Sequence, residues 1–341
     1  EWTVGFGERK LIDGIEIAVR TWGPEDGIPV LALHGWLDNA ASFERLAPLL
    51  DGCFVVAPDL VGHGRSDHRR HDSGYYLWEH AEDMLAVVDS LGLSQFHLIA
   101  HGMGSGIATL LAAMTSGIAS MILLDGMGAP FTVAEDDRVQ HLAKAYRLKR
   151  LVRRSRLQGF SEPDGSQFDS LDAALQQRRS RLAGNLSEDA ARLLALRDLL
   201  QVGDGYCWRH DPRLVLPEPM PLTEGEACTL LAQVSCPLYL MLGRQGAFAG
   251  DGFARREAAL PRQAKVSWHP GGHHLHLEAP ERALVDQILR VLARHEQGAV
   301  QRLGPRPPGA ADPDHEPGGV EQLGGQAAAD LELAGVEGQV D

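Results

Sequence analysis

Cysteine is scarce in this 341-residue chain: Cys53, Cys207, Cys228 and Cys236 are the four, and none has CxxC or Cys/His ligand spacing. That argues against a disulfide framework and a zinc module, and reduced thiols in a cytoplasmic protein are expected. Positive charge is short too. Lys and Arg number 32 against 46 Asp and Glu, a formal net charge of −14, which argues against a nucleic-acid partner. A local exception, RLKRLVRRSR (147–156), reads as the solvated side of a helix. No apolar run reaches the roughly 20 residues of a membrane span, and the first residues lack a secretion-signal pattern. Aromatics make up only 6%, yet at 44% hydrophobic and 23% charged the chain can bury a sizeable core.

What is present is an alternation. Near-continuous apolar runs suit buried parallel strands: IEIAVRTW (15–22), PVLALHG (29–35), CFVVAPD (53–59), FHLIAH (96–101), SMILLDG (120–126), PLYLMLG (237–243) and AKVSWHP (264–270). Helical patterns lie between them over 77–92 and 104–114 and after them over 279–295. Strand alternating with helix predicts an α/β fold with a mainly parallel sheet. The alternation stops over 130–235, which is helical and rich in Arg and Leu. An insertion there is expected to cap the carboxyl edge of the sheet, where ligands bind in such folds. Core segments are expected over 1–129 and 236–297. The stretch 298–341, rich in Gly, Pro and acids, is expected to be a disordered tail.

The segment LIAHGMGSGIA (98–108) runs from a strand into a helix through Ala100-His101-Gly102-Met103-Gly104. This is the small-x-nucleophile-x-small pattern of a nucleophile elbow, in which flanking side chains would collide in the tight turn. Only the central residue fails, because Gly102 has no side chain. Ser105 does not replace it, since its neighbours two away are Met103 and Ile107, and one turn into the helix it serves packing.

Three further motifs stand at predicted strand ends: HGWLDNAASF (34–43), DLVGHGRSD (59–67) and HPGGHHLHLEAP (269–280). With the elbow, they make residues 5–297 resemble the α/β-hydrolase superfamily. GWLDN, the segment WRHDPRLVLPEPMPLTEGEA (208–227) and PLYLMLGRQG (237–246) resemble its serine-hydrolase-like subgroup, related to haloalkane dehalogenases and epoxide hydrolases. The resemblance implies an α/β-hydrolase fold, a mostly parallel eight-stranded sheet flanked by helices, with a helical cap after the sixth strand.

It also implies roles. His273 matches the base, and the backbone N–H groups of Trp36 and Met103 match an oxyanion hole. His34, Gly35, Asp38, Asn39 and Trp208 are expected around the substrate, with His34 and His101 bracing backbone and Trp208, Asp211 and Arg213 also fastening the cap. The acid is open between Asp125, the preferred residue at the end of SMILLD, and Asp251, because the usual G-x-x-D site reads Gly243-Arg244-Gln245-Gly246.

The implied activity is hydrolysis of a small-molecule acyl ester, thioester or lactone with an apolar part, needing no cofactor and no metal. Gly102 closes the covalent route. Three accounts stand open: serine in a parent enzyme, a natural binding protein that has lost its nucleophile, or base chemistry by a His–Asp pair alone.

Overall fold

A computed structural model describes residues 5–12, 14–70, 73–157, 167–181 and 186–296. The tail expected over 298–341 lies outside them. Eight strands form one sheet: β1 (Gly5–Ile12), β2 (Ile15–Trp22), β3 (Ile28–Leu33), β4 (Cys53–Pro58), β5 (Phe96–His101), β6 (Ile118–Leu124), β9 (Leu238–Gln245) and β10 (Lys265–Gly272). Their order is β1-β2-β4-β3-β5-β6-β9-β10. β1 and β2 pair antiparallel, as do β2 and β4, and every other pairing is parallel. β1 has no counterpart among the apolar runs of the sequence. Its GFGERKLI carries charge and glycine, and it pairs only with β2 at the sheet edge.

The parallel strands read as continuous apolar runs because both of their faces are covered. Leu31, Leu33, Leu98, Ala100, Met121 and Leu123 enter one core, with α1 (Leu77–Ser90) and α2 (Gly104–Met114) over it. The alternate residues Val30, Ala32, Ile99, Ile122 and Leu124 enter a second core beneath α9 (Arg282–Arg294).

Between β6 and β9 the chain inserts α3 (Arg138–Leu157), α4 (Leu171–Arg181), α5 (Glu188–Asp198), the hairpin β7 (Leu199–Val202)–β8 (Gly205–Trp208) and α6 (Glu224–Ala232). The hairpin is a departure from the helical reading of this region. Its LLQV and GYCW are four residues each, too short to show a period. Two further helices, α7 (Asp251–Glu257) and the single turn α8 (Leu275–Glu278), follow β9 and β10. Among the described residues no helix is long and apolar enough to cross a membrane.

The strand order places the site. After β3 the chain steps to β4 on one side, then crosses to β5 on the other. That reversal opens a crevice at the carboxyl ends of β3 and β5, where open parallel sheets bind ligands.

Candidate active site

The turn after β5 is built for a backbone that few residues tolerate. Gly102 has φ +52°, in the left-handed region. A Cβ on Gly104 would lie 2.6 Å from the Leu33 carbonyl oxygen, so the helix packs against β3 only with glycine there. Ser105 is fully buried against Gly126, in the packing position read from its spacing. A Cβ on Gly102, by contrast, would meet the His273 side chain first, 3.3 Å from its Nε2, a close contact that a small shift of the ring relieves, and 3.5 Å from Gly35 Cα. The elbow therefore aims the missing side chain at an imidazole.

His273 follows β10, and its Nδ1 lies 2.6 Å from Asp125 Oδ2. Asp125, just beyond β6, is fully buried and has φ +41°. Its carboxylate also accepts from the Gly243 N–H at 3.0 Å and the Ala247 N–H at 2.8 Å. With Nδ1 donating to the carboxylate, His273 Nε2 is free to accept a proton from the position-102 side. Gly246 shows why the usual acid is absent from the loop after β9. A Cβ there would lie 2.6 Å from Asp125 Cγ, so the Asp125 carboxylate fills the space that an acid from β9 would need. Asp251 opens α7, and its side chain lies outside the described residues.

The loop after β3 supplies the opposite wall. Leu37, at φ +59°, and Asp125 are the two non-glycine residues with positive φ among those described, and Leu37 lies between Trp36 and Asp38, which line the cavity. Backbone held in such conformations stores strain, which clusters at functional positions. The N–H groups of Trp36 and Met103 have no backbone acceptor among the described residues, and both residues line the cavity next to Gly102. That cavity is about 410 Å³ and includes Asp125, His273 and the fixed pair Glu224–Arg256. Trp36, Met103 and Phe131 also line a second, adjoining cavity of about 510 Å³, closed by Leu214, Val215 and Pro217 of the insertion. Trp36 stands between the two, its Nε1 donating to the Leu214 carbonyl at 3.0 Å and its ring edge-on to Phe131.

Not every expected contact faces a cavity. His34 lines neither: Nδ1 donates to the Gly35 carbonyl at 2.8 Å and Nε2 accepts the Leu60 N–H at 2.9 Å, so it braces two loops. Asn39 is a correction to the substrate reading. It caps the short helical turn 40–43 and donates to the Leu194 carbonyl at 2.9 Å, spending its amide on structure. Trp208 is another. It is buried inside the insertion, donating to Gln177 at 2.8 Å and packing edge-on against Phe168. Asp211 and Arg213 tie the insertion to the loop after β4, through a bond from the Asp211 N–H to Gly62 and bonds from Arg213 to the Arg69 and Arg70 carbonyls.

Asp38 and Gly35 do line the 410 Å³ cavity. Asp38 joins a buried cluster that single motifs did not reveal. Its Oδ1 accepts from Arg178 at 3.0 Å, and its Oδ2 accepts from His274 Nε2 at 3.1 Å. Burial opposes its ionisation, but His274, His101 and Arg178 together outweigh that and hold the carboxyl well below the usual range. His101, the last residue of β5, directs Nε2 to the His273 carbonyl at 3.0 Å. Burial first, and then the neighbouring His273, push its imidazole down to about 4. The motifs HGWLD and HH each stood out in the sequence, but nothing there joined Asp38 to His274, and Arg178 comes from α4, 140 residues from Asp38, with no local signal.

Strand order, elbow and the His273–Asp125 pair together define the class of an α/β-hydrolase. The comparisons agree: a model of the alpha/beta hydrolase fold family matches residues 28–280. The chain belongs to that family. It is 30% identical over 280 residues to a serine hydrolase-like protein of Dictyostelium discoideum, covering 78% of this chain and 75% of that one. Serine hydrolase-like protein 2 of Homo sapiens is also 30% identical over 280 residues, covering 78% and 87%. A crystal structure of a hypothetical protein from Pseudomonas aeruginosa PAO1 superposes with a TM-score of 0.74 at 39% identity, over 84% of this chain and 98% of that one.

Proposed function

We propose that this chain carries the site of an acyl-ester or thioester hydrolase that is complete except for its nucleophile. His273 is the base and Asp125 the acid that orients it. The N–H groups of Trp36 and Met103 form an oxyanion hole, and the insertion caps the cleft. The observation that carries this reading is the position of Gly102: its missing side chain would start 3.3 Å from the Nε2 of an imidazole already fixed by a buried carboxylate.

A serine in that slot would attack the substrate carbonyl as His273 takes its proton. The oxyanion would be held by the two N–H groups, and His273 would return the proton to the leaving oxygen or sulfur. With Gly102 the covalent step has no attacking atom, so the chain as it stands binds the ester without acyl transfer. The two adjoining cavities, mostly apolar, support a substrate with an apolar part on one or both sides of the reacting carbonyl.

The test is Gly102→Ser. Short activated esters should be hydrolysed with a burst of acyl-enzyme, whereas the Gly102 chain should bind them without a burst. A folded Gly102→Ser protein with no activity on any chain length would overturn the hydrolase reading in favour of a non-catalytic binder.

A further inference from the structure

We propose that Asp38, His101 and His274 form a site for one divalent metal ion of the zinc or cobalt type, directly behind the His273 ring. The three residues come from the loop after β3, the end of β5 and the turn after β10. Asp38 Oδ2 lies 3.5 Å from His101 Nδ1 and 3.1 Å from His274 Nε2, and the three ligand atoms all lie within 4.8 Å of one another. Neighbouring ligand atoms around tetrahedral zinc are about 3.3 Å apart, so small side-chain adjustments close the site.

The hydrogen bonds point the same way. The His273 carbonyl can only accept, so His101 Nε2 carries a proton, and in the neutral ring Nδ1 offers its lone pair. That Nδ1 is buried and has no hydrogen-bond partner. The Asp38 carboxylate oxygen lies 3.5 Å from it, so one cation between the two would be held by both, away from water. A metal ion would take the Nδ1 lone pair and Asp38 Oδ2. His274 would join through Nε2, its proton moving to Nδ1 by exchange with water. Arg178 stays on the other Asp38 oxygen, turning Oδ2 toward the histidines.

Access is open because of one glycine. All three ligand residues line the 410 Å³ cavity. A Cβ on Gly35 would lie 3.0 Å from His101 Nδ1 and 3.3 Å from Asp38 Oδ2, so only glycine leaves the approach to that pair clear. The His101 and His273 rings are 4.4 Å apart, so the ion would lie beside the base.

The test needs no turnover, so its outcome is independent of the hydrolase reading. Co²⁺ alone is titrated into the full chain while the visible ligand-field bands are followed, and Zn²⁺ binding is measured by competition with a chromophoric chelator. One equivalent should bind, with bands of a nitrogen- and oxygen-ligated ion. His101→Gln keeps an amide donor for the His273 carbonyl but loses the imidazole nitrogen ligand, and Gly35→Ala keeps every ligand while blocking the approach. Each should weaken binding by at least about tenfold, the scale on which even outer contacts of metal sites act. Metal-free near-UV circular dichroism checks that both variants fold, and Gly35→Ala decides the matter if His101→Gln does not. No stoichiometric binding to the native chain, or binding that the folded variants leave unchanged, overturns the proposal.

Discussion

Gly102 has opposite consequences for stability and for chemistry. At φ +52° glycine is unstrained, whereas an L side chain there is destabilised by about 1–2 kcal/mol. Gly102→Ser should therefore lower the urea unfolding free energy by about that amount while it supplies the nucleophile, the trade expected when a strained active residue is restored. A more stable serine variant would show that the turn relaxes and that the aim at His273 is lost. The acid is tested in the same background. Asp125→Asn cannot accept the His273 Nδ1 proton as a carboxylate does, so the imidazole presents the wrong tautomer, and kcat should fall by about 10³–10⁴. Asp251→Asn should leave kcat within a few-fold. Equal losses from both would undo the pairing, whatever the 2.6 Å separation of His273 and Asp125.

At the scale of elements, the insertion is fastened to the sheet by buried charge. Arg197 on α5 donates from Nε to both oxygens of Asp59, just beyond β4, at 2.8 and 2.9 Å. Asp59 also accepts the Ala40 and Arg65 N–H groups, so one carboxylate joins the loop after β3, the loop after β4 and the insertion. Removing the arginine leaves a fully buried carboxylate without its counter-charge. Arg197→Met should destabilise the protein by about 3–5 kcal/mol, measured by denaturant unfolding. It should also loosen the insertion, seen as faster amide exchange in α5 than in β5. A change below about 1 kcal/mol would mean the pair is solvated and contributes little. A second fastening, Arg256 with Glu224, closes the far side. Hydrogen bonds from Arg256, against a smaller opposing effect of burial, hold the Glu224 carboxyl down at about 2.

Over the whole molecule, buried histidine sets the response to acid. Burial is the largest cause in each case, and it pushes His80 down to about 3 and His97 and His101 to about 4. In the unfolded chain the same rings protonate near pH 6.5. Below that pH the unfolded state binds protons that the folded state refuses, so stability is fully present above about pH 6.5 and is lost as pH falls towards 4. Each ring accounts for up to about 3 kcal/mol at pH 4, and three together rival a typical folding free energy of about 5–15 kcal/mol. The urea midpoint should be level from pH 8 to 7 and fall steeply between about pH 6 and 4.5. A midpoint that holds down to pH 4.5 would show that these rings are hydrated or already charged in the folded protein.

The sequence by itself determined the fold class, because strands covered on both faces must be apolar throughout and helices between them must be amphipathic. It also located the elbow, since a left-handed turn packed against β3 admits only small residues at Ala100 and Gly104. It did not reveal β1, which has an edge strand's mixed composition, or the hairpin β7–β8, too short for a period. Tertiary structure alone separated site from scaffold. Asn39 and Trp208 belong to motifs that suggested substrate contact, yet their polar groups are used up by Leu194 and Gln177 from distant helices. It brought His273 to Asp125, 148 residues apart, the acid the sequence had preferred while leaving Asp251 open, and it alone set Arg178 against Asp38. Periodicity is a local property that a chain displays along its length. Which buried charge meets which partner depends on strand order and on how an insertion returns to the sheet, and neither is written in any one segment.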